Sequence, residues 1–232
     1  MTATDPMQSS DNPQVAASPT VYVIDDEVSI LNVVRRVCAG IDVDVRTFAD
    51  ARVFLDAVTP ETAGCIVLDY ILGDTDGFQV LRELRDSNVQ MPVIFISGQA
   101  DIPTAVQAMQ LGSLHFLEKP FDPQQLTVEV QKALARDAEN RERRRILNQI
   151  EQRIDSLTKR EKEVAELVIA GNPNKVTADR LGVSPKTIEV HRAAVMRKMG
   201  ATSLAELVQF WLYHQNEGDT GEAPPNLGEQ LA

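Results

Sequence analysis

Val21-Tyr22-Val23-Ile24-Asp25-Asp26-Glu27 is a short β-branched run that stops on three consecutive carboxylates. A brief apolar run ended by polar turn formers is the pattern of a strand buried on both faces, as in a parallel sheet. Working outward, the pattern recurs at Val43 to Phe48, Cys65 to Leu68, Pro92 to Ile96 and Leu114 to Leu117, and an amphipathic stretch follows each. Five such units predict an α/β domain, a five-stranded parallel sheet with helices on both faces. Gly40 and Gly112 fall just past helical patterns, where left-handed caps belong. Asp122-Pro123 offers an N-cap with proline at the first helical position.

From Pro123 the pattern turns helical and stays so. Leu147, Ile150, Ile154 and Leu157 follow a 3-4-3 spacing, which reads either as a short coiled-coil seam or as one sticky edge of a solvated linker helix. Four compact helical patterns come next. Thr158 with Glu161 and Ser203 with Glu206 are spaced as capping boxes, Ser184-Pro185 opens a third helix, and Gly171 and Gly200 close two. The expected organisation is a tail over residues 1–19, the α/β domain over 20–135, a linker helix over 136–152, a small all-α domain over 153–214 and a second tail over 215–232. Both tails are too polar to order themselves.

The 232 residues suffice for two ordinary domains, and 43% hydrophobic with 25% charged residues is a soluble globular composition. No apolar run approaches the roughly 20 residues of a membrane span, and the first 19 residues lack a signal-peptide pattern, so the expected location is the cytoplasm, away from membranes. Cys38 and Cys65 sit in apolar contexts without CxxC spacing and read as reduced core thiols. The net charge of −11 argues against a nucleic-acid partner until its distribution is read. Residues 20–125 hold 16 acidic against 7 basic side chains, whereas residues 153–214 hold 7 against 10. An acidic module is followed by a mildly basic one, which suggests two tasks.

In a parallel α/β sheet, ligands bind at the carboxyl ends of the strands. There the sequence sets Asp25-Asp26-Glu27, Asp69, Ser97 and Lys119-Pro120. Crowded carboxylates repel unless a hard cation such as Mg²⁺ joins them. Each residue alone is as readily a turn former, a helix cap or a solvated surface group. In combination, Val-Ile-Asp25-Asp26-Glu, Ile-Val-Leu-Asp69, Phe-Ile-Ser97-Gly and Phe-Leu-Glu-Lys119-Pro-Phe resemble the receiver domain of two-component response regulators over about residues 20–135. The resemblance implies a flavodoxin-like fold in which Asp69 accepts a phosphoryl group from a sensor histidine kinase. It implies that Asp26, Asp69 and the carbonyl of Ile71 hold Mg²⁺ with help from Asp25, and that Ser97 and Lys119 ligate the phosphate. Ser97 and Phe116 are the implied switch pair. The alternative for Phe116 is an ordinary core aromatic. Two departures stand out: Gly73 occupies a position usually held by proline, which leaves that loop freer, and His115 precedes the aromatic where an acid is common. Beside the site, apolar Ile71 cannot orient a hydrolytic water, whereas Gln99 offers an amide.

In the C-terminal part, Val176 to Leu181, then Gly182-Val183-Ser184, then a helix from Pro185 have the spacing of a helix-turn-helix. Ile188, Val195 and Met199 form an apolar stripe, leaving Lys186, Glu189, Val190, Ala193 and Arg197 on another face. A solvated amphipathic helix divides in the same way. Leu157-Thr-Lys-Arg-Glu161, Ala170-Gly-Asn-Pro-Asn174-Lys175 and Ser184-Pro-Lys-Thr-Ile-Glu-Val-His191-Arg192 resemble the LuxR-type domain of the NarL/FixJ response regulators. On that resemblance Lys175, Lys186, Thr187, Arg192, Arg197 and Lys198 are candidate phosphate contacts, and Glu189, Val190 and Ala193 face base edges. A homodimer on paired half-sites of double-stranded DNA, formed on phosphorylation, and RNA polymerase are the further implied partners. The implied role is transcriptional control rather than enzymatic turnover. A Mg²⁺-dependent phosphohydrolase is the competing enzyme class, but Asp25-Asp26-Glu27-Val28 lacks the Asp-x-Asp-x-Thr arrangement of aspartyl-phosphate phosphatases. A receiver that only dimerises, independently of phosphate, is the third reading.

Overall fold

The computed structural model describes residues 19–73, 75–98 and 102–216. The expected tails, apart from Pro19, Gln215 and Asn216, lie outside the described residues, and so does Gln99. The chain forms two compact units that divide between Ala138 and Glu139.

The first unit alternates strands and helices: β1 (Thr20–Ile24), α1 (Val28–Cys38), β2 (Asp44–Phe48), α2 (Ala51–Ala57) and β3 (Cys65–Asp69). A two-residue ladder follows, β4 (Ile71–Leu72) with β5 (Thr75–Asp76), and then α3 (Gly77–Asp86), β6 (Val93–Ser97), α4 (Ile102–Gln110) and β7 (His115–Glu118). The main sheet is parallel with strand order β2-β1-β3-β6-β7. Successive residues of a strand point to opposite faces, so both faces must be apolar. Val21, Val23, Cys65, Val67, Ile94 and Ile96 pack on one side with Leu31, Val34 and Cys38 of α1 and with Leu126 and Val130. Tyr22, Ile24, Ile66, Leu68, Val93 and Phe95 pack on the other with Phe54, Phe78, Leu81 and Ala108. Burial pushes both thiols, Cys38 to about 11 and Cys65 further, so they remain protonated core groups.

Helix α5 (Pro123–Asp155) is continuous, so the expected linker helix is the middle of a longer element. Asp122 caps its start by accepting from the Gln124 N–H at 2.9 Å. The expected seam is not a free edge. Ile150, Ile154 and Leu157 are buried, with Ile146 also buried beside a partly buried Leu147, against Ala165, Val195, Met199, Leu207, Phe210 and Tyr213 in the core of the second unit. Helices α6 (Lys159–Ile169), α7 (Asn174–Leu181), α8 (Pro185–Met199) and α9 (Leu204–Gln215) complete that unit. Thr158 and Glu161 form a reciprocal capping box. The second expected box is only half made: the Ser203 hydroxyl accepts from the Glu206 N–H, but the Glu206 carboxylate turns to the N–H and hydroxyl of Thr202. Trp211 packs against the same core.

Two glycines separate local pattern from packing. Gly40, expected as a left-handed cap, does not have positive φ; α1 ends on right-handed Ala39 instead. Gly64 was not singled out, yet its φ is +134° and a Cβ there would lie 2.0 Å from the Thr20 carbonyl oxygen, so β3 can lie beside β1 only if this residue is glycine. Gly64→Ala should cost about 2–4 kcal/mol, from strain and displaced backbone together. Gly40→Ala, whose Cβ would meet nothing nearer than 3.7 Å, should be neutral or slightly stabilising. Thermal unfolding of the two variants followed by circular dichroism measures the difference.

Candidate functional site

The strand order reverses between β1 and β3, and the crevice beyond their carboxyl ends is where such folds bind ligands. Asp25 follows β1, Asp69 ends β3, Ser97 ends β6 and Lys119 follows β7. The Lys119 N–H donates to the Ser97 carbonyl at 2.7 Å, which extends the β6–β7 pairing by one step. From there the Lys119 Nζ donates to Asp25 Oδ2 and to Asp69 Oδ2, at 2.8 Å in each case. Residues 94 and 50 positions away in sequence meet on one ammonium.

The other oxygens are also engaged. Asp25 Oδ1 accepts from the Glu27 N–H at 2.8 Å, and Asp69 Oδ1 from the Ile71 N–H at 3.3 Å. Asp25 is fully buried and Asp69 nearly so. Burial raises the Asp25 carboxyl above its usual range despite the opposing pull of Lys119 and the Glu27 N–H. For Lys119, burial favours the neutral amine, but the hydrogen bonds to both carboxylates outweigh it and hold the ammonium above its usual range.

The acidic group differs in one member from the expected set. Carboxylate oxygens of Asp25, Glu27 and Asp69 lie within 4.8 Å of one another. Glu27 Oε1 is 3.5 Å from the Lys119 ammonium, while Asp26 is exposed and outside this group. Asp25, Asp26 and Glu27 follow the end of β1, where Asp25 is buried, Asp26 is exposed and Glu27 is the N-cap residue of α1. Three converging carboxylates are the donor chemistry of a hard divalent cation.

Ser97 is fully buried and Phe116 half-buried, packed against the Tyr22–Phe95 side of the core. Ile71 is 42% exposed, so it is not a packed core side chain. Its loop forms the β4–β5 ladder, with Gly73 at φ +57°, rather than an irregular stretch. Gly77 closes the loop from behind. Its N–H donates to the Tyr70 carbonyl at 2.8 Å, and a Cβ would fall 2.6 Å from the Asp69 carbonyl oxygen. Sequence reasoning missed Gly77, although a glycine opening a helix is a visible sign of close backbone approach.

In the second unit, Gly182 takes the left-handed turn between α7 and α8, and Ser184 caps α8 by accepting from the Thr187 N–H. Ile188, Val195 and Met199 are buried as expected. Lys175, Lys186, Glu189, Val190, Ala193 and Arg197 are exposed, with Val190 at 61%. Lys186 pairs with Glu189 at 3.0 Å along the same face. Thr187 and Arg192 are half-buried, and Arg192 donates to Asn174 Oδ1 at the start of α7. Lys198 is turned inward: its ammonium lies 2.6 Å from Glu161 Oε2 and donates to the Ser156 carbonyl. That pair and the capping N–H of Thr158 hold the Glu161 carboxyl down to about 2.

The first unit thus carries two buried carboxylates under a bridging lysine at its switch point, and the second a helix-turn-helix with an exposed second helix. Comparison with known proteins agrees. Residues 21–131 match the response regulator receiver domain, and residues 155–211 match the luxR family of bacterial regulatory proteins. The chain is 38% identical to the transcriptional regulatory protein FixJ of Bradyrhizobium diazoefficiens, over 82% of this chain and 93% of that protein. It is 40% identical to FixJ of Azorhizobium caulinodans, over 83% and 91%. Among solved structures, the response regulator StyR superposes with a TM-score of 0.78 at 38% identity, covering 84% of this chain and 99% of that one. The chain belongs to the NarL/FixJ family of two-component response regulators and controls transcription rather than acting as an enzyme.

The electrostatics of the pocket fix a pH signature. Because the Asp25 pKa is raised on folding, its contribution to stability is greatest below the ordinary carboxyl range and is lost as pH rises through the folded value. Asp25→Asn keeps an acceptor oxygen and leaves Lys119 paired with Asp69. It should therefore raise the unfolding midpoint at pH 7 by a few degrees, with the gain vanishing below about pH 4. Lys119→Met should do the opposite and cost on the order of 3 kcal/mol at pH 7, since it leaves two buried carboxylates without a cation. Thermal unfolding in metal-free buffer from pH 4 to pH 8 measures both.

Proposed function

We propose that Asp69 is the phosphoacceptor, receiving a phosphoryl group from the phosphohistidine of a sensor histidine kinase. The observation that carries this reading is the Lys119 ammonium held 2.8 Å from both Asp69 and Asp25. An Asp69 oxygen attacks phosphorus, the P–N bond to the imidazole breaks, and the imidazole leaves with the electron pair. Phosphoryl transfer asks the protein chiefly for positioning and for neutralisation of charge on the equatorial oxygens. Asp26, Asp69 and the Ile71 carbonyl, with help from Asp25, would hold Mg²⁺, and Glu27 offers a further carboxylate within 4.8 Å of Asp25 and Asp69. When bound, Mg²⁺ supplies charge neutralisation and orients the phosphoryl oxygens. Lys119 stays against one of those oxygens, and the Ser97 hydroxyl donates to another.

The acyl phosphate adds roughly −1.5 to −2 of charge and three acceptor oxygens, which draw Lys119 and Ser97 toward it. Movement of Ser97 frees space that Phe116 fills, which alters the face made by α4 and β7. That face already exposes Ile102, Val106 and Met109, which with Ala105 form an open apolar patch along α4. In this reading it becomes the homodimer contact. Two copies present two α8 helices to paired half-sites on double-stranded DNA, where RNA polymerase is recruited or blocked, in the cytoplasm. Lys175, Lys186, Thr187, Arg192 and Arg197 meet phosphates, and Glu189, Val190 and Ala193 meet base edges. Ile71, exposed and apolar beside Asp69, gives an attacking water no hydrogen-bond partner, which favours slow loss of the phosphoryl group.

Treatment with acetyl phosphate and Mg²⁺ followed by mass spectrometry should place a base-labile phosphoryl group on Asp69, and Asp69→Asn should remain unlabelled. An Asp69→Asn chain labelled as well as wild type would overturn the assignment. Ultracentrifugation of the labelled chain should show a shift toward dimer that Val106→Glu abolishes. Equal masses with and without phosphate, over a range of concentrations, would favour the phosphate-independent reading instead.

A further inference from the structure

A helix leaves its last carbonyls without intrahelical partners, so the end of a DNA-reading helix must be fixed by something outside it. In α8 the last residue is Met199, and its carbonyl accepts from Arg153 Nη1 at 2.8 Å. Arg153 stands on the last turn of α5, whose Ile146, Ile150 and Ile154 share a core with Val195 and Met199 of α8 and with Leu207, Phe210 and Tyr213 of α9. The same guanidinium lies over the Phe210 ring, 5.9 Å from its centroid. Gly200 makes room for it, since a Cβ there would fall 2.9 Å from Arg153 Nη1. Burial lowers the Arg153 pKa, in keeping with a cation drawn inside the fold. By composition Arg153 counts among the basic residues of the DNA-binding domain, and its described contacts are the carbonyl at the end of α8 and the Phe210 ring.

We infer that Arg153 is a positioning residue for DNA recognition: it ties the C-terminal end of α8 to α5 and α9, and so sets the angle at which the exposed Lys186–Arg197 face meets a duplex, without contacting DNA itself. The inference rests on α8 being the reading helix. A planar guanidinium both donates to the carbonyl and lies over the ring, two tasks that a lysine ammonium performs less well together. Loss of Arg153 therefore weakens binding that depends on alignment with base edges and spares binding that depends only on charge.

The test uses the full chain treated with acetyl phosphate and Mg²⁺. One duplex is selected by the wild-type chain from a randomised pool, and a scrambled duplex of equal length is the control. Affinities are read by fluorescence anisotropy between 50 and 200 mM KCl, at a temperature where circular dichroism shows each variant fully folded. Arg153→Lys, which keeps the charge, should weaken binding to the selected duplex about tenfold. The scrambled duplex and the salt slope should be unchanged. Lys186→Ala should weaken both duplexes and reduce the slope by about 1, as expected for one lost phosphate contact. Wild-type selectivity in Arg153→Lys would overturn the inference, as would Arg153→Met reducing the slope by about 1 with equal losses on both duplexes. If Arg153→Lys does not fold, Phe210→Leu removes the ring beneath the guanidinium and must show the same selective loss. No effect of Lys186→Ala or Val190→Ala on either duplex would instead overturn the assignment of α8 as the reading helix.

Discussion

Asp25 and Asp69 are buried at adjacent strand ends, and two carboxylates so placed repel one another unless a cation lies between them. Lys119 is that cation, and the sheet is what delivers it. Pairing of β1 with β3 sets the two acids side by side, while pairing of β3 with β6 and of β6 with β7 sets the distance over which the lysine must reach. The Lys119 N–H on the Ser97 carbonyl anchors the root of the side chain to the strand that carries the buried hydroxyl. Any new negative charge at Asp69 therefore acts first on a group already shared with Asp25 and tethered to β6. In the proposed phosphotransfer these bonds are the first step, and Ser97 and Phe116 carry the change on to the α4–β7 surface.

The glycines of the receiver serve the same geometry. Gly64 lets β3 begin against the Thr20 carbonyl, and Gly77 lets α3 begin against the Asp69 carbonyl, so the two ends of β3 are both set by close backbone approach. The strand that carries the candidate phosphoacceptor is thus held at each end by a contact that no side chain permits.

In the second unit, charge is divided between inside and outside. Lys198 joins Glu161 and the turn before α6, and Arg153 joins the end of α8 to Phe210. These cations order the domain, while Lys175, Lys186 and Arg197 remain on its surface. Two of the ten basic side chains over residues 153–214, Arg153 and Lys198, are therefore engaged inside the domain, while Lys186 and Arg197 are exposed on α8.

The chain's local chemistry determined a good deal by itself. Apolar runs ending in acids required a doubly covered parallel sheet, the helix starts at Thr158 and Ser184 required caps, and the stripe Ile188, Val195, Met199 fixed which face of α8 is buried. These are periodicities and nearest-neighbour hydrogen bonds, which a sequence carries directly. The sequence did not show that the Glu27 carboxylate joins Asp25 and Asp69, that the edge of Ile150, Ile154 and Leu157 is core of the second unit, or that Gly64 and Gly77 are packed against carbonyls. Nor did it show that Arg153 and Lys198 face inward. Each of those outcomes depends on groups brought together from distant parts of the chain, so only the tertiary structure decided them.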